Sequence, residues 1–307
     1  MVHPRAQNQH QRSTFPFFEL PPELRLNIYE FLLGGNTIHV GFPYCGMINY
    51  YEHQNPDAKR LRIGVCQASV SDLKFAALHR QVLEGSNDEK MSTEVANAPE
   101  DKTFILRHKK CHPSSANLRY HNQNLNLLLA CKTIHYEAAA TPFTSNTFTF
   151  STPAVLEKLL RKLGSKQREA LSNVLLYSTN RRRTWTEDVP ATTVELLPHA
   201  CRLTVFIELC GADLEDLQNA AGWRRLVGGL VAITSSNPRS IDVCVVDGVR
   251  GNTKLAIPRT PMREELAPAR LDSISEEIRR TLLPPGAVAE MELNGDHRAE
   301  LIHQVSA

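Results

Sequence analysis

Arg202-Leu203-Thr204-Val205-Phe206-Ile207-Glu208-Leu209 is a short run dominated by β-branched, aromatic and aliphatic residues, and it reads as a strand. Asn173–Tyr177 and Ile241–Val246 read the same way, with helix candidates around Thr192–Leu197 and Leu214–Ile233 falling between these strands. Such alternation predicts helices packed on a sheet and allows the sheet to be parallel. The spacing is uneven, so no repeat qualifies as a solenoid, and degenerate leucine-rich-repeat-like units stay open.

Beyond the last of these strands, Pro258, Pro261 and Pro268 mark a linker. Asp272 or Ser273 is then expected to cap a helix running to Leu283, with Ser273 and Glu276 as a capping box. Leu271, Ile274, Ile278 and Leu282 form its apolar stripe, Pro284-Pro285-Gly286 ends it, and the tail that follows is expected to be weakly ordered.

Moving toward the N-terminus, Ala154–Leu163 predicts a helix with Leu156, Leu159, Leu160 and Leu163 on its core stripe, closed by Gly164. Thr147-Phe148-Thr149-Phe150 alternates as a strand, and Leu125–Ala140 predicts a helix stopped by Pro142. Cys131 would then lie mid-helix as a buried, inert thiol. The polar stretch Glu84–Lys102 predicts a flexible loop, with a helix over Asp72–Leu83 before it and a short strand over Thr103–Leu106 after it. Asn36–Phe42 and Leu61–Cys66 alternate and predict a hairpin-like pair. Ahead of them, Leu20–Leu33 predicts a helix with Pro21 or Pro22 in its first turn and Gly34-Gly35 at its end. Its apolar stripe is Leu24, Ile28, Phe31 and Leu32. The resulting division is a disordered tail over 1–14, one domain over 15–257, and a linker, terminal helix and tail over 258–307.

Bulk composition narrows the function classes. The chain has 307 residues, 42% hydrophobic and 22% charged, which is ordinary for a globular protein. Thirty-five Lys and Arg stand against thirty-three Asp and Glu, and a net charge of +2 argues against nucleic acid or an anionic membrane as a partner chosen by overall charge. No apolar run approaches the roughly 20 residues that cross a bilayer, and the polar first fifteen residues do not read as a secretory signal. The seven cysteines, Cys45, Cys66, Cys111, Cys131, Cys201, Cys210 and Cys244, form no tight framework, which predicts reduced thiols in the cytoplasm or nucleus.

Three motifs in order carry a family resemblance. They are Leu20-Pro21-Pro22-Glu23-Leu24-Arg25 with Ile28-Tyr29, then Gly34–His39 with Leu61-Arg62, then Leu127–Ala138 leading into Ser145-Asn146-Thr147-Phe148. Over roughly residues 17 to 150 the chain resembles a large family of uncharacterised fungal proteins, a domain of unknown function that opens on an F-box-like helix. Leu128-Leu129-Ala130-Cys131-Lys132 resembles the second half of an F-box, displaced by about ninety residues that include two of the expected strands. The fold class this implies is α+β, with F-box-like helices interrupted by a strand-containing insertion and followed by mixed helix and strand units on a sheet. An F-box docks a substrate receptor onto a ubiquitin ligase. The resemblance therefore implies a Skp-type ligase adaptor as partner, bound through Leu20, Pro21, Leu24, Ile28 and Leu32.

Signals for chemistry are sparse. His108, Cys111 and His112, with His121 nearby, have metal-ligand side chains, but their spacing lacks the paired units of structural zinc sites. A solvated polar loop is favoured, and no metal or cofactor is assigned; adding Cys45 or Cys66 from a distance would complete a ligand set only by guesswork. Arg181-Arg182-Arg183 beside Trp185 could stack a base and meet phosphates, yet Glu187 and Asp188 follow at once and favour local ion pairs. Nucleophile elbows, phosphate-binding loops and paired-histidine zinc helices are absent. The reading is a non-catalytic protein-interaction module, with an F-box-like substrate receptor as its sharper form. The alternative is a structural or regulatory protein in which the first helix is only core.

Overall fold

A computed structural model describes residues 16–41, 61–66, 108, 111, 125–179, 185, 189–198, 201–209, 220–234, 238–247 and 268–282. Among the described residues, six of the strands expected from the sequence come together in one sheet. They are β1 (Thr37–Gly41), β2 (Arg62–Val65), β3 (Thr147–Phe150), β4 (Asn173–Thr179), β5 (Arg202–Leu209) and β6 (Ser240–Asp247), in the order β2-β1-β3-β4-β5-β6. Among the described strands only β2 is antiparallel; β1, β3, β4, β5 and β6 are parallel, each beside the next in chain order.

A sheet that grows in one direction through right-handed crossovers returns every connection on the same side. Helices after β3 pack on one face of the sheet. Helix α4 (Pro153–Lys162) links β3 to β4, α6 (Ala191–Leu196) links β4 to β5, α7 (Ala220–Thr234) links β5 to β6, and α8 (Pro268–Leu282) follows β6. Short α5 (Ser165–Glu169) continues from α4. One core joins Val155, Leu156, Leu159 and Leu160 of α4, Val227, Leu230 and Ile233 of α7, and Leu271, Ile274, Ile278 and Leu282 of α8 to a single face of the sheet. That face carries Ile38, Val40, Phe148, Phe150, Val174, Leu176, Val205 and Ile207. Each fully buried aliphatic side chain contributes about 1.5–3 kcal/mol, so this face dominates stability.

The alternate residues Leu175, Tyr177, Phe206 and Val246 form a second, smaller cluster on the opposite face. Seven of the eight residues of β5 are buried, so apolar side chains line both of its faces, and Thr204 and Glu208 are buried among them. Trp185 is fully buried, its Nε1–H donating to the Tyr177 carbonyl at 2.8 Å. Its own carbonyl accepts from the Gly229 amide at 2.9 Å, tying the end of β4 to α7.

Two helix boundaries differ from expectation. The segment 125–140 is not one helix: a 3-10 turn over Leu125–Leu129 breaks at Ala130, and α2 runs over Lys132–Ala138. Cys131 is exposed at its N-cap, its sulfur accepting from the Ile134 amide at 3.5 Å, so the thiol is neither buried nor mid-helix. Pro142 lies within the first turn of a further helix, α3 (Thr141–Thr144), where its missing N–H is harmless. At the other end of the chain, α8 begins at Pro268, so Asp272 and Ser273 are interior and form no cap. Glu276 instead pairs with Arg279 at 2.7 Å and with Arg280 at 3.2 Å. The expectations over 1–14, 72–83, 84–102, 103–106 and 258–267, and the tail after 282, lie outside the described residues. Among the described residues, no helix is long and apolar enough to cross a membrane.

Candidate functional site

The first helix, α1 (Pro22–Leu33), starts with Pro22 as its first residue and ends at Gly34, as its sequence predicts. It meets α2, which lies about a hundred residues further along the chain. Tyr29 and Leu33 pack against Ile134 and Ala138, with Phe17, Leu32, Leu127 and Leu128 at the margin. A polar clamp fixes the pair. Arg25 donates through Nε to Glu137 Oε2 at 3.0 Å and through Nη2 to Oε1 at 2.7 Å, a two-pronged geometry that favours arginine over lysine. Tyr29 adds a hydroxyl bond to Glu137 Oε2 at 2.9 Å, and Arg25 Nη1 donates to the Leu20 carbonyl at 2.6 Å.

These contacts set the ionisation of all three groups. Hydrogen bonds from Arg25 and Tyr29 hold the Glu137 carboxyl below the usual carboxylate range. Burial, then the bond to Glu137, pushes the Tyr29 phenol up to about 12. Arg25 is raised by the bond to Glu137. All three favour the paired form at neutral pH.

The clamp rotates α1 relative to its expected stripe. Tyr29 and Leu33 face the core, whereas Ile28 and Leu32 are half-buried and Leu24 is 49% exposed. Phe31, on the same row as Leu24 and Ile28, is 87% exposed. Pro21 is exposed and Leu20 half-buried. Of the five residues expected to bind a partner, Leu24 and Pro21 are therefore the open ones, and Phe31 joins them.

The end of α1 is bonded to the sheet through Asn146, which is buried. Its Nδ2 donates to the Leu33 carbonyl at 2.6 Å and to the Pro142 carbonyl at 2.8 Å, and its Oδ1 accepts from the Asn36 amide at 2.8 Å. Gly34 permits this approach, because a Cβ there would sit 2.6 Å from Ser145 Cβ and 2.8 Å from the Glu30 carbonyl oxygen. Gly35 follows at φ +72°, in the left-handed region that glycine occupies without strain.

A second group of side chains gathers at the β2 edge of the sheet. His39 on β1 stands opposite Gly64, and Cys66 lies two residues beyond Gly64, where its amide bonds the Thr37 carbonyl at 2.7 Å. Period-two alternation puts His39 and Cys66 on one face, opposite the core residues Ile38 and Val40. His108 and Cys111 come from between β2 and α2 and are joined by a turn, the Cys111 amide bonding the His108 carbonyl at 2.8 Å. One ligand-capable atom from each of His39, Cys66, His108 and Cys111 lies within 4.8 Å of the others. His108 Nδ1 is 3.4 Å from Cys66 Sγ and 3.6 Å from Cys111 Sγ, and the two sulfurs are 3.9 Å apart. The two imidazoles meet at 4.4 Å between ring centres, at 63°. His108 is buried and the other three are partly buried.

The sequence points to half of this group. His108 and Cys111 stand out by residue type alone, their spacing favouring a solvated polar loop, whereas His108 is in fact buried; His39 reads as an ordinary strand position and Cys66 as a remote cysteine. Pairing the hairpin in register would have placed the latter two together; the connection between its strands is too long to set a register from sequence. His112, His121, Cys45 and Arg181–Arg183 lie outside the described residues. Trp185 is buried, so its indole is no stacking platform for a base.

Among proteins with known descriptions, neither the curated sequences nor the solved structures give a match. A family profile described as a domain of unknown function, DUF7730, matches residues 7–196, which is more than half of the chain and takes in α1, the His–Cys group and the first four strands. This chain is a member of that DUF7730 family.

Proposed function

We propose that this chain is a protein-interaction module whose α1–α2 pair docks on a Skp-type ubiquitin-ligase adaptor, in the manner of an F-box-like substrate receptor. The observation that carries the reading is the open apolar row of Leu24 and Phe31, with Ile28 between them, on a helix whose other side is locked by the Arg25–Glu137 clamp. Two features support it. The F-box-like halves meet despite the insertion, through Tyr29, Leu33, Ile134 and Ala138. A rigid helix with exposed aromatic and aliphatic anchors is also a favourable docking element, since little ordering remains to oppose binding. The sheet and its one-sided helices would then carry the recognition surface, as leucine-rich-repeat-like units do. The alternative, with α1 only as core, accounts for Tyr29 and Leu33 and leaves Leu24 and Phe31 without a role.

The test is capture of a purified Skp-type adaptor by the full chain, compared with a Leu24→Asp, Phe31→Asp double variant. Both positions are exposed, so the variant keeps its fold and its melting temperature, and it loses the adaptor. A folded parent chain that fails to bind the adaptor overturns the proposal.

A further inference from the structure

We infer that His39, Cys66, His108 and Cys111 form a structural zinc site that fastens the insertion to the edge of the sheet. Two thiolates and two neutral imidazoles are a complete tetrahedral set for zinc, whose borderline-soft character suits mixed nitrogen and sulfur ligands. With four protein ligands the site is closed, which assigns it a structural rather than a catalytic part.

The spacing of the ligand atoms supports this directly. Zinc bonds of about 2.3 Å to sulfur and 2.0–2.1 Å to nitrogen give tetrahedral edges of roughly 3.8 Å between two sulfurs and roughly 3.6 Å between sulfur and nitrogen. Here the sulfurs are 3.9 Å apart and His108 Nδ1 lies 3.4 and 3.6 Å from them. A disulfide requires about 2.0 Å between sulfurs, far shorter than this separation. His39 closes the set from β1, the one ligand supplied by the parallel part of the sheet.

Location gives the site its purpose. Among the described strands β2 lies at the edge of the sheet and pairs only with β1. Cys66 terminates that strand, and the His108–Cys111 turn arrives 42 residues later. One ion therefore joins three segments that are distant in sequence, all of them between the two F-box-like halves. Binding would release the two thiol protons, because zinc takes cysteine as thiolate and histidine as the neutral ring. The site is independent of the adaptor reading and stands or falls without it.

The experiment uses the full chain, expressed with zinc in the medium and purified under reducing conditions without chelator. Metal analysis is expected to give about one zinc per chain. After chelation the melting temperature falls, and adding cobalt(II) produces the intense thiolate-to-cobalt absorption of a tetrahedral site. Cys66→Ser with Cys111→Ser abolishes both signals, whereas Cys131→Ser, outside the group, retains them. If the double variant fails to fold, His39→Gln and the cobalt spectrum of the parent chain decide the matter. A folded, reduced parent chain without bound zinc and without a cobalt–thiolate spectrum overturns the inference, as does a Cys66–Cys111 disulfide in freshly purified protein.

Discussion

Asn146→Asp changes one amide nitrogen to oxygen and turns two hydrogen bonds into repulsions. In the native chain the Asn146 Nδ2 group serves the Leu33 carbonyl at 2.6 Å and the Pro142 carbonyl at 2.8 Å, with the side chain only 1% exposed. The aspartate keeps the acceptor used by the Asn36 amide but offers nothing to either carbonyl. Each buried acceptor stripped of its donor costs about 1–3 kcal/mol, so the pair costs about 4 kcal/mol at neutral pH. At about 2–4 °C per kcal/mol for large domains, the melting temperature falls by about 8–16 °C.

Circular dichroism melts at pH 7 measure this loss, and a pH series tests its cause. Burial and the two carbonyl oxygens raise the pKa of the introduced carboxyl, whose protonated form can donate to one of them. A raised pKa places the better-folded state at low pH, with stability lost as pH rises through the folded value. The gap between variant and parent therefore narrows on acidification. A variant melting within about 2 °C of the parent at pH 7 would refute the assignment of Asn146 as the bond between α1 and the sheet.

Further expectations concern the clamp and the buried indole. Glu137 is held below its ordinary value of 4.5, so its contribution is present above that pH and is lost as pH falls through the lower folded value; Glu137→Gln flattens this acid limb in pH-dependent melts. Tyr29, raised to about 12, works in the opposite direction, with stability lost as pH climbs from about 10, and Tyr29→Phe removes that alkaline limb. With Trp223 replaced by Phe, the remaining Trp185 emission is blue-shifted and poorly quenched by iodide, and shifts red only on unfolding; ready quenching in the folded chain would contradict the burial of that indole.

Legibility differed between local and long-range features. The apolar stripe of α8 was readable because Leu271, Ile274, Ile278 and Leu282 recur with helical period, and all four are buried. Its start was misread because Asp272 and Ser273 resemble a cap, while burial of Leu271 draws the helix back to Pro268. Strand β5 was legible as a strand; its burial on both faces was not, since that depends on what covers each face. On α1 the ends were legible from Pro22 and Gly34. Its orientation was not, because an arginine and a tyrosine face the partner helix through Glu137, 112 and 108 residues away.

By itself the sequence determined most of the described elements, the mixed class and the family membership, because helical and strand periods and turn residues act over a few neighbours. Only the tertiary structure decided which α1 residues stay open, that α1 and α2 meet, and that His39 and Cys66 join His108 and Cys111. Those outcomes rest on register and packing between segments tens of residues apart, and local spacing holds no record of either.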